Sequence, residues 1–416
     1  MWKLTKVAAV AAALAAAVAA HAGEVEVLHY WTSGGEAKSA AELKKMMQAK
    51  GHTWRDFAVA GGGGDSAMTV LKSRVISGNP PSAAQVKGPA IQEWASEGVL
   101  GNMDALAKSE KWDEALPKVV ADVMKYKGNY VAAPVNVHRV NWIWASSDAL
   151  KKAGVAAMPK TWDEFFAAAD KLKAAGLIPV AHGGQNWQDF TTFESVVLGV
   201  GGPKFYQDAL VKLDDKALTS DTMKKSLETF RRIKTYTDPG APGRDWNLAT
   251  AMLIQGKAGF QLMGDWAKGE FIAAGKAPGK DFMCAAAPGR ANAFTFNVDS
   301  FILFKLKDAA AQKAQSDLAS AIMSPGFQEV FNLNKGSIPV RAGQSMDKFD
   351  DCAKASAKDF ADTAKSGGLV PSVAHGMAIA PATEGAIKDA VSQFWNDDKV
   401  SVADAMKKIA TAAKTK

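Results

Sequence analysis

At 416 residues the chain is too long for one compact core and calls for two lobes of ordinary size. Its formal charge of +7 is spread along the chain without a run of basic residues, which speaks against a nucleic-acid surface and leaves a mildly basic solvated exterior. Two cysteines and six histidines, none at metal-ligand spacing, give no metal cluster.

The N-terminus comes first. "MWKLTK" is a basic leader, "VAAVAAALAAAVAA" a short apolar stretch, and "AHA" ends at Ala22 among small residues. This is the layout of a secretory signal peptide over residues 1–22, with a retained anchor helix as the alternative. No later segment approaches the roughly 18 apolar residues of a membrane span, so a soluble exported chain is expected. In such a chain Cys284 and Cys352 are expected to pair, closing a loop worth about 4 kcal/mol of chain entropy.

Short apolar runs then alternate with helical stretches. "VEVLHYW" predicts a strand, and "EAKSAAELKKMMQAKG" a helix with Ala37, Ala40, Leu43 and Met47 on one face. "TWRDFAVA" is a second strand. The glycines of "GGGGDS" make a loop, with Asp65 or Ser66 placed to cap the next helix. "AAQVKGP" gives a short strand, "AIQEWASEGVL" a helix, and "YVAAPVNV" a strand leading out of the first lobe. "WIWASSDALKKAGV" passes from strand to helix. In "PKTWDEFFAAADKLKAAGLIPV", Thr161 and Glu164 form a capping box and Gly176 closes the helix before the strand "LIPV". "DWNLATAMLIQGKAGFQLMGDWAKGEF" predicts a helix, a glycine turn, a buried strand and a turn carrying Trp266. "FTFNVDSFILFKL" is strand-rich, and "SPGFQEVFNLNKGSIPVR" opens on Ser324 as N-cap with Pro325 at the first helical position. Alternation of this kind argues for α/β lobes.

Catalytic signatures are mostly missing: there is no G-x-S-x-G elbow, no H-E-x-x-H and no phosphate loop with its lysine. "GGGGDS" therefore reads as a flexible turn or a loop of backbone donors. Asp214-Asp215 and Asp397-Asp398 read as surface. His138, His182 and His375 lie beside small or turn residues, open as ligand contacts, though any one alone is an ordinary partnered histidine. What stands out is aromatic. Trp31, Trp187 and Trp266 fall at turns, where a core residue is the competing reading. Sugar sites combine flat rings with Asp, Glu, Asn, Lys and His.

Three passages, "PKTWDEFFAAADKLKAAGLIPV", "LIQGKAGFQLMGDWAKGEF" and "MSPGFQEVFNLNKGSIPVR", resemble in order and spacing the periplasmic solute-binding proteins of ABC sugar importers, the maltose-binding-protein-like family. "HYWTSGGE", "NVDSF" and "PSVAHGMA" resemble its glucose-binding branch. The resemblance covers the mature chain. It implies a two-lobed α/β fold, each lobe a central sheet flanked by helices, with crossings near Val137–Val140, Asn297–Ser300 and Arg341–Ser345. The N-lobe would be 23–137 and 300–341, and the C-lobe 138–299 and 342–416, so that a Cys284–Cys352 bridge braces the C-lobe without locking the hinge.

The same resemblance implies a ligand set of Tyr30, Trp31, Glu36, Lys87, Trp266, Asn297, Asp299, Lys335 and His375, with Tyr30 standing where a second tryptophan is expected. Trp31 and Trp266 would sandwich a pyranose. Glu36 and Asp299 would accept from its hydroxyls, and Lys87, Lys335, Asn297 and His375 would donate. The implied protein is a periplasmic monomer without cofactor, metal or catalytic residue. It captures a monosaccharide, glucose first, by hinge closure and docks on a membrane permease. The alternatives are a periplasmic glycoside hydrolase using Glu36 and Asp299, and the same fold holding a di- or oligosaccharide.

Overall fold

The computed structural model describes residues 22–289 and 292–415; the signal-peptide segment, but for Ala22, lies outside the described residues. Among the described residues no helix is long and apolar enough to cross a membrane.

Val25, Val27 and Leu28 are fully buried in the strand Glu24–His29, which therefore sits inside its sheet and not at the edge. The sheet order is Thr53–Ala58, Glu24–His29, Ala83–Gln85, Ser300–Leu303, Ala132–Pro134. The first three strands run parallel, linked by the helices Gly34–Ala49 and Asp65–Ile76, because parallel neighbours need a crossover. Ser300–Leu303 enters antiparallel from far along the chain.

The second lobe is built on Phe282–Ala286, Trp142–Ser146, Ala258–Leu262 and Ile178–Val180, in that order. A third sheet joins Leu369–Pro371, Phe294–Asn297 and His138–Arg139. The chain passes between lobes at Asn136–Val137, from the first sheet to the third, and returns at Val298–Asp299. The third passage lies further on than residues 341–345. Arg341 still donates to Met323 O (3.0 Å), Ala342 N to Ala115 O (2.8 Å), and Lys348 pairs with Glu329 at 2.7 Å. The helix Asp351–Ser366 reaches the other side, where Arg139 holds Asp359 at 2.6 Å, while its Ala353 and Phe360 stay in the first core. Its Cys352 is disulfide-bonded to Cys284, Cα to Cα 6.2 Å.

One core fills the first lobe and runs on to Phe294, Phe296, Ala353 and Phe360, a second fills the other lobe, and a smaller cluster of Trp142, Trp144, Trp187, Trp266, Phe271 and Phe282 lies beside the cleft. Local signals were realised with two corrections. Thr161 and Glu164 make the reciprocal cap, with Glu164 N to Thr161 Oγ1 at 3.2 Å, and Ser324 accepts from Phe327 N at 3.3 Å. Ala37, however, is exposed. Gly35 and Ser39 take the buried face, because the helix Gly34–Ala49 packs on Pro325–Lys335. Neither Asp65 nor Ser66 caps its helix either. Gly64, at φ 114°, stands at the cap, so Asp65 falls inside and faces Lys388 at 3.6 Å.

Candidate functional site

The turn Tyr30–Ser33 leaves the carboxyl end of the first strand, and Lys87 leaves that of Ala83–Gln85. Ligands of open α/β sheets sit outside these ends. Between the lobes lies a cavity of about 460 Å³. Tyr30, Trp31, Glu36, Lys87, Trp266, Asn297, Asp299, Lys335 and His375 all line it, so every residue of the expected set is brought together. Residues outside that set line it too. Gly61, Gly63 and Gly64 do so from the glycine loop; Gln185, Trp187, Asp245, Trp246 and Asn247 from two helix starts; and His138 from the first passage. The signal for Trp187 was its turn position, and for His138 its place in the passage between lobes.

The lobes meet closely around this cavity. Gly35 N donates to Glu270 Oε1 at 2.8 Å, and a Cβ on Gly35 would stand 2.7 Å from the Gly269 carbonyl carbon. Gly88, at φ +50°, lies where a Cβ would strike Gly376 O. The helix Ala267–Ala273 rests on both Gly34–Ala49 and Pro325–Lys335.

Rings and charges divide the lining. Trp266 packs against His375 (centroids 4.8 Å apart), His138 (5.2 Å) and Trp187 (6.4 Å). Trp31 touches the cavity, yet it is 2% exposed and its ring is packed on Phe331 (5.1 Å) and Phe301 (5.5 Å). It is held in the first-lobe core, and Tyr30, half-buried, is the more open ring. Lys87 Nζ stands 5.5 Å over the Tyr30 ring. Burial pushes the Lys87 pKa down, while Asp299 and Glu384 pull it back. Lys335 pairs with Glu36 at 2.6 Å, both of them buried from solvent or nearly so.

The donor sense of one polar group departs from expectation. His375 Nε2 lies 3.0 Å from Thr191 Oγ1, whose own proton goes to Trp187 O at 2.8 Å. The imidazole therefore donates from Nε2 to Thr191 and leaves Nδ1 as an acceptor. Burial, then the cations Lys87, Lys388 and His138, hold it neutral, well below the usual histidine range. Asn297 lines the cavity, and its Oδ1 is buried without a hydrogen-bond partner.

Asp299 is held from several sides: Oδ1 accepts from Gln85 Nε2 (3.2 Å), and Oδ2 from His138 Nε2 (2.9 Å) and Asn136 Nδ2 (3.2 Å). Burial would raise its pKa. The His138 imidazolium, then Lys335 and Lys87, outweigh this and keep it ionised, well below the usual carboxylate range. No group of metal-ligating side chains occurs among the described residues.

Two α/β lobes closing on a polar and aromatic cleft define the class of extracytoplasmic solute receptors. The family model "Bacterial extracellular solute-binding protein" matches residues 31–319, and the chain belongs to that family. A relative from Rhizobium meliloti, "Probable sugar-binding periplasmic protein", is 49% identical over 96% of both chains. One of the same description from Brucella suis is 48% identical over 99% of both. Among solved structures, "Chitin oligosaccharide binding protein" superposes with a TM-score of 0.79 at 19% identity, over 94% of this chain and 98% of that one.

Proposed function

We propose that this chain is the periplasmic sugar-binding component of an ABC importer, exported through its N-terminal signal peptide, and that it encloses a monosaccharide, D-glucose first, between its lobes. The observation that carries this is the convergence of Tyr30, Trp266, Glu36, Asp299, Lys87 and Lys335, the rings, carboxylates and lysines of a sugar site, on one cavity between the lobes. Trp266 offers a face for the C–H side of a pyranose, with Tyr30 across the cleft. Lys87, Lys335 and Asn297 donate; Glu36 and His375 Nδ1 accept. Relatives at 48–49% identity described as sugar-binding periplasmic proteins support the ligand class and the compartment.

Closure follows from contacts that exist only when both walls touch one ligand, and the loaded form docks on a membrane permease as a single copy. Cleavage is disfavoured by the state of the acids. Glu36 is tied to Lys335 in an ion pair, and Asp299 is held ionised and so is no general acid. The cavity volume of about 460 Å³ is near the low end of ligand pockets, but keeps a disaccharide as the second reading.

Calorimetric titration with D-glucose, D-galactose, D-mannose and maltose tests the assignment. Micromolar binding of one of them is expected. Binding of a non-sugar solute with no response to any sugar would overturn it, and release of reducing ends from an oligosaccharide would favour the hydrolase.

A further inference from the structure

Beside the ligand cavity, the first two passages between lobes are tied to each other and to the first lobe by buried polar side chains. Asn136 lies on the first passage, Asp299 on the second, and Ser337 on the segment after the helix Pro325–Lys335. Asn136 Nδ2 donates to Asp299 Oδ2 and to Ser337 Oγ, each at 3.2 Å, and Asp299 N returns to Asn136 Oδ1 at 3.0 Å. Ser337 Oγ passes its own proton to Asn332 Oδ1 at 2.6 Å. Both Asn136 protons are thereby used, and its orientation is fixed by the Asp299 amide.

His138 completes the chain. Its Nδ1 faces Asp265 Oδ1 in a short contact, and its Nε2 faces Asp299 Oδ2 at 2.9 Å. Asp265 is itself anchored, accepting from Arg139 N at 2.9 Å. A neutral imidazole has one donor and one lone pair, so one carboxylate would face a lone pair. With both nitrogens protonated, both contacts become charge-assisted hydrogen bonds. Asn136 Nδ2 also lies 2.9 Å from Nε2, and the two nitrogens then share the Asp299 oxygen.

We propose that His138 is a positioning residue, carried as an imidazolium between Asp265 and Asp299, which fixes the Asp299 carboxylate at the ligand cavity and couples the interlobe passages to capture. This makes one proton part of the binding site. It rests on the sugar-binding function above for its affinity arm, but not for its protonation arm.

The groups facing His138 are Asp265 from the turn after Ala258–Leu262, Asp299 and Asn136 from the passages, and the Trp266 ring edge. Lys335 and Lys87 act through Asp299, and His375 lies across the cavity. Burial alone would lower the His138 pKa; the two carboxylates reverse this and hold it above the usual value. A raised histidine contributes stability that is complete below the unfolded pKa of about 6.5 and is lost as pH climbs through the folded one.

The first measurement needs no sugar. Nitrogen-15 NMR of the imidazole side chains in the whole exported protein, from pH 6 to 9, should find both His138 nitrogens still protonated at pH 7. An unprotonated Nε2 at pH 7 overturns the proposal. The second is D-glucose titration of wild type, His138→Gln and Asp265→Asn at pH 6 and pH 9. Wild-type affinity should fall toward pH 9, while His138→Gln binds at least tenfold more weakly at pH 6 and no longer varies with pH. Wild-type affinity and pH profile retained in His138→Gln would sink it. Should wild type bind no sugar, the function above fails, and the NMR result still decides the state of His138.

Discussion

The first-lobe wall of the cleft carries its chemistry on short loops and a helix end: Glu36 and Lys335 in an ion pair, Lys87 over Tyr30, and the left-handed Gly61, Gly63 and Gly64. The second-lobe wall carries rings. Trp187 and Trp266 are part of a packed aromatic cluster with Trp142, Trp144, Phe271 and Phe282. A ring already held by its neighbours loses little freedom when a ligand lands on it, whereas loops must be ordered around the ligand. The comparison teaches a division of labour: one wall is a fixed template for shape, and the other brings charge-assisted hydrogen bonds as the lobes meet.

The largest test of the fixed wall is its brace. Cys284→Ser with Cys352→Ser should cost about 4 kcal/mol in denaturant unfolding, with ligand affinity nearly unchanged. A large affinity loss would mean that the brace also sets the closed geometry. Next comes the charged wall. Lys335→Met leaves Glu36 buried without its cation and should destabilise by about 3 kcal/mol, while Lys335→Arg recovers most of it. Equal stability of wild type and the methionine variant would remove the ion pair from the account. Trp266→Ala should weaken sugar binding by about 2 kcal/mol, roughly thirtyfold, and Trp31→Ala should act mainly on stability, since its ring is in the core. The reverse order would exchange their roles. The smallest effect is expected at the seam. Gly35→Ala puts a Cβ against the Gly269 backbone and should cost about 1 kcal/mol of closure, seen as a wider ligand-bound particle in small-angle scattering.

Much of this molecule was legible in its sequence where the signals are local. Thr161 with Glu164 and Ser324 with Pro325 fix helix starts within four residues, and the apolar run after His138 could only be a buried strand. The cleft set came from resemblance, since no periodicity brings Tyr30 near His375. What stayed hidden depends on partners distant in the chain. Arg341 and Ala342 keep the third passage on the first lobe through contacts with Met323 and Ala115. The donor sense of His375 is set by Thr191. His138 matters because residues 136, 265, 299 and 337 converge on it or on its carboxylate, which no spacing announces.

The Cys284–Cys352 bond spans 68 residues, and within that stretch the chain leaves the second lobe, supplies the strand Ser300–Leu303 and the helices Ala309–Met323 and Pro325–Lys335 to the first, and comes back. The excursion is thus a closed covalent ring that interlinks the two lobes. A protease that cuts once inside it yields two pieces that still migrate as one until a reductant is added, so a nicked receptor keeps its parts in an oxidising compartment and sheds them in a reducing one.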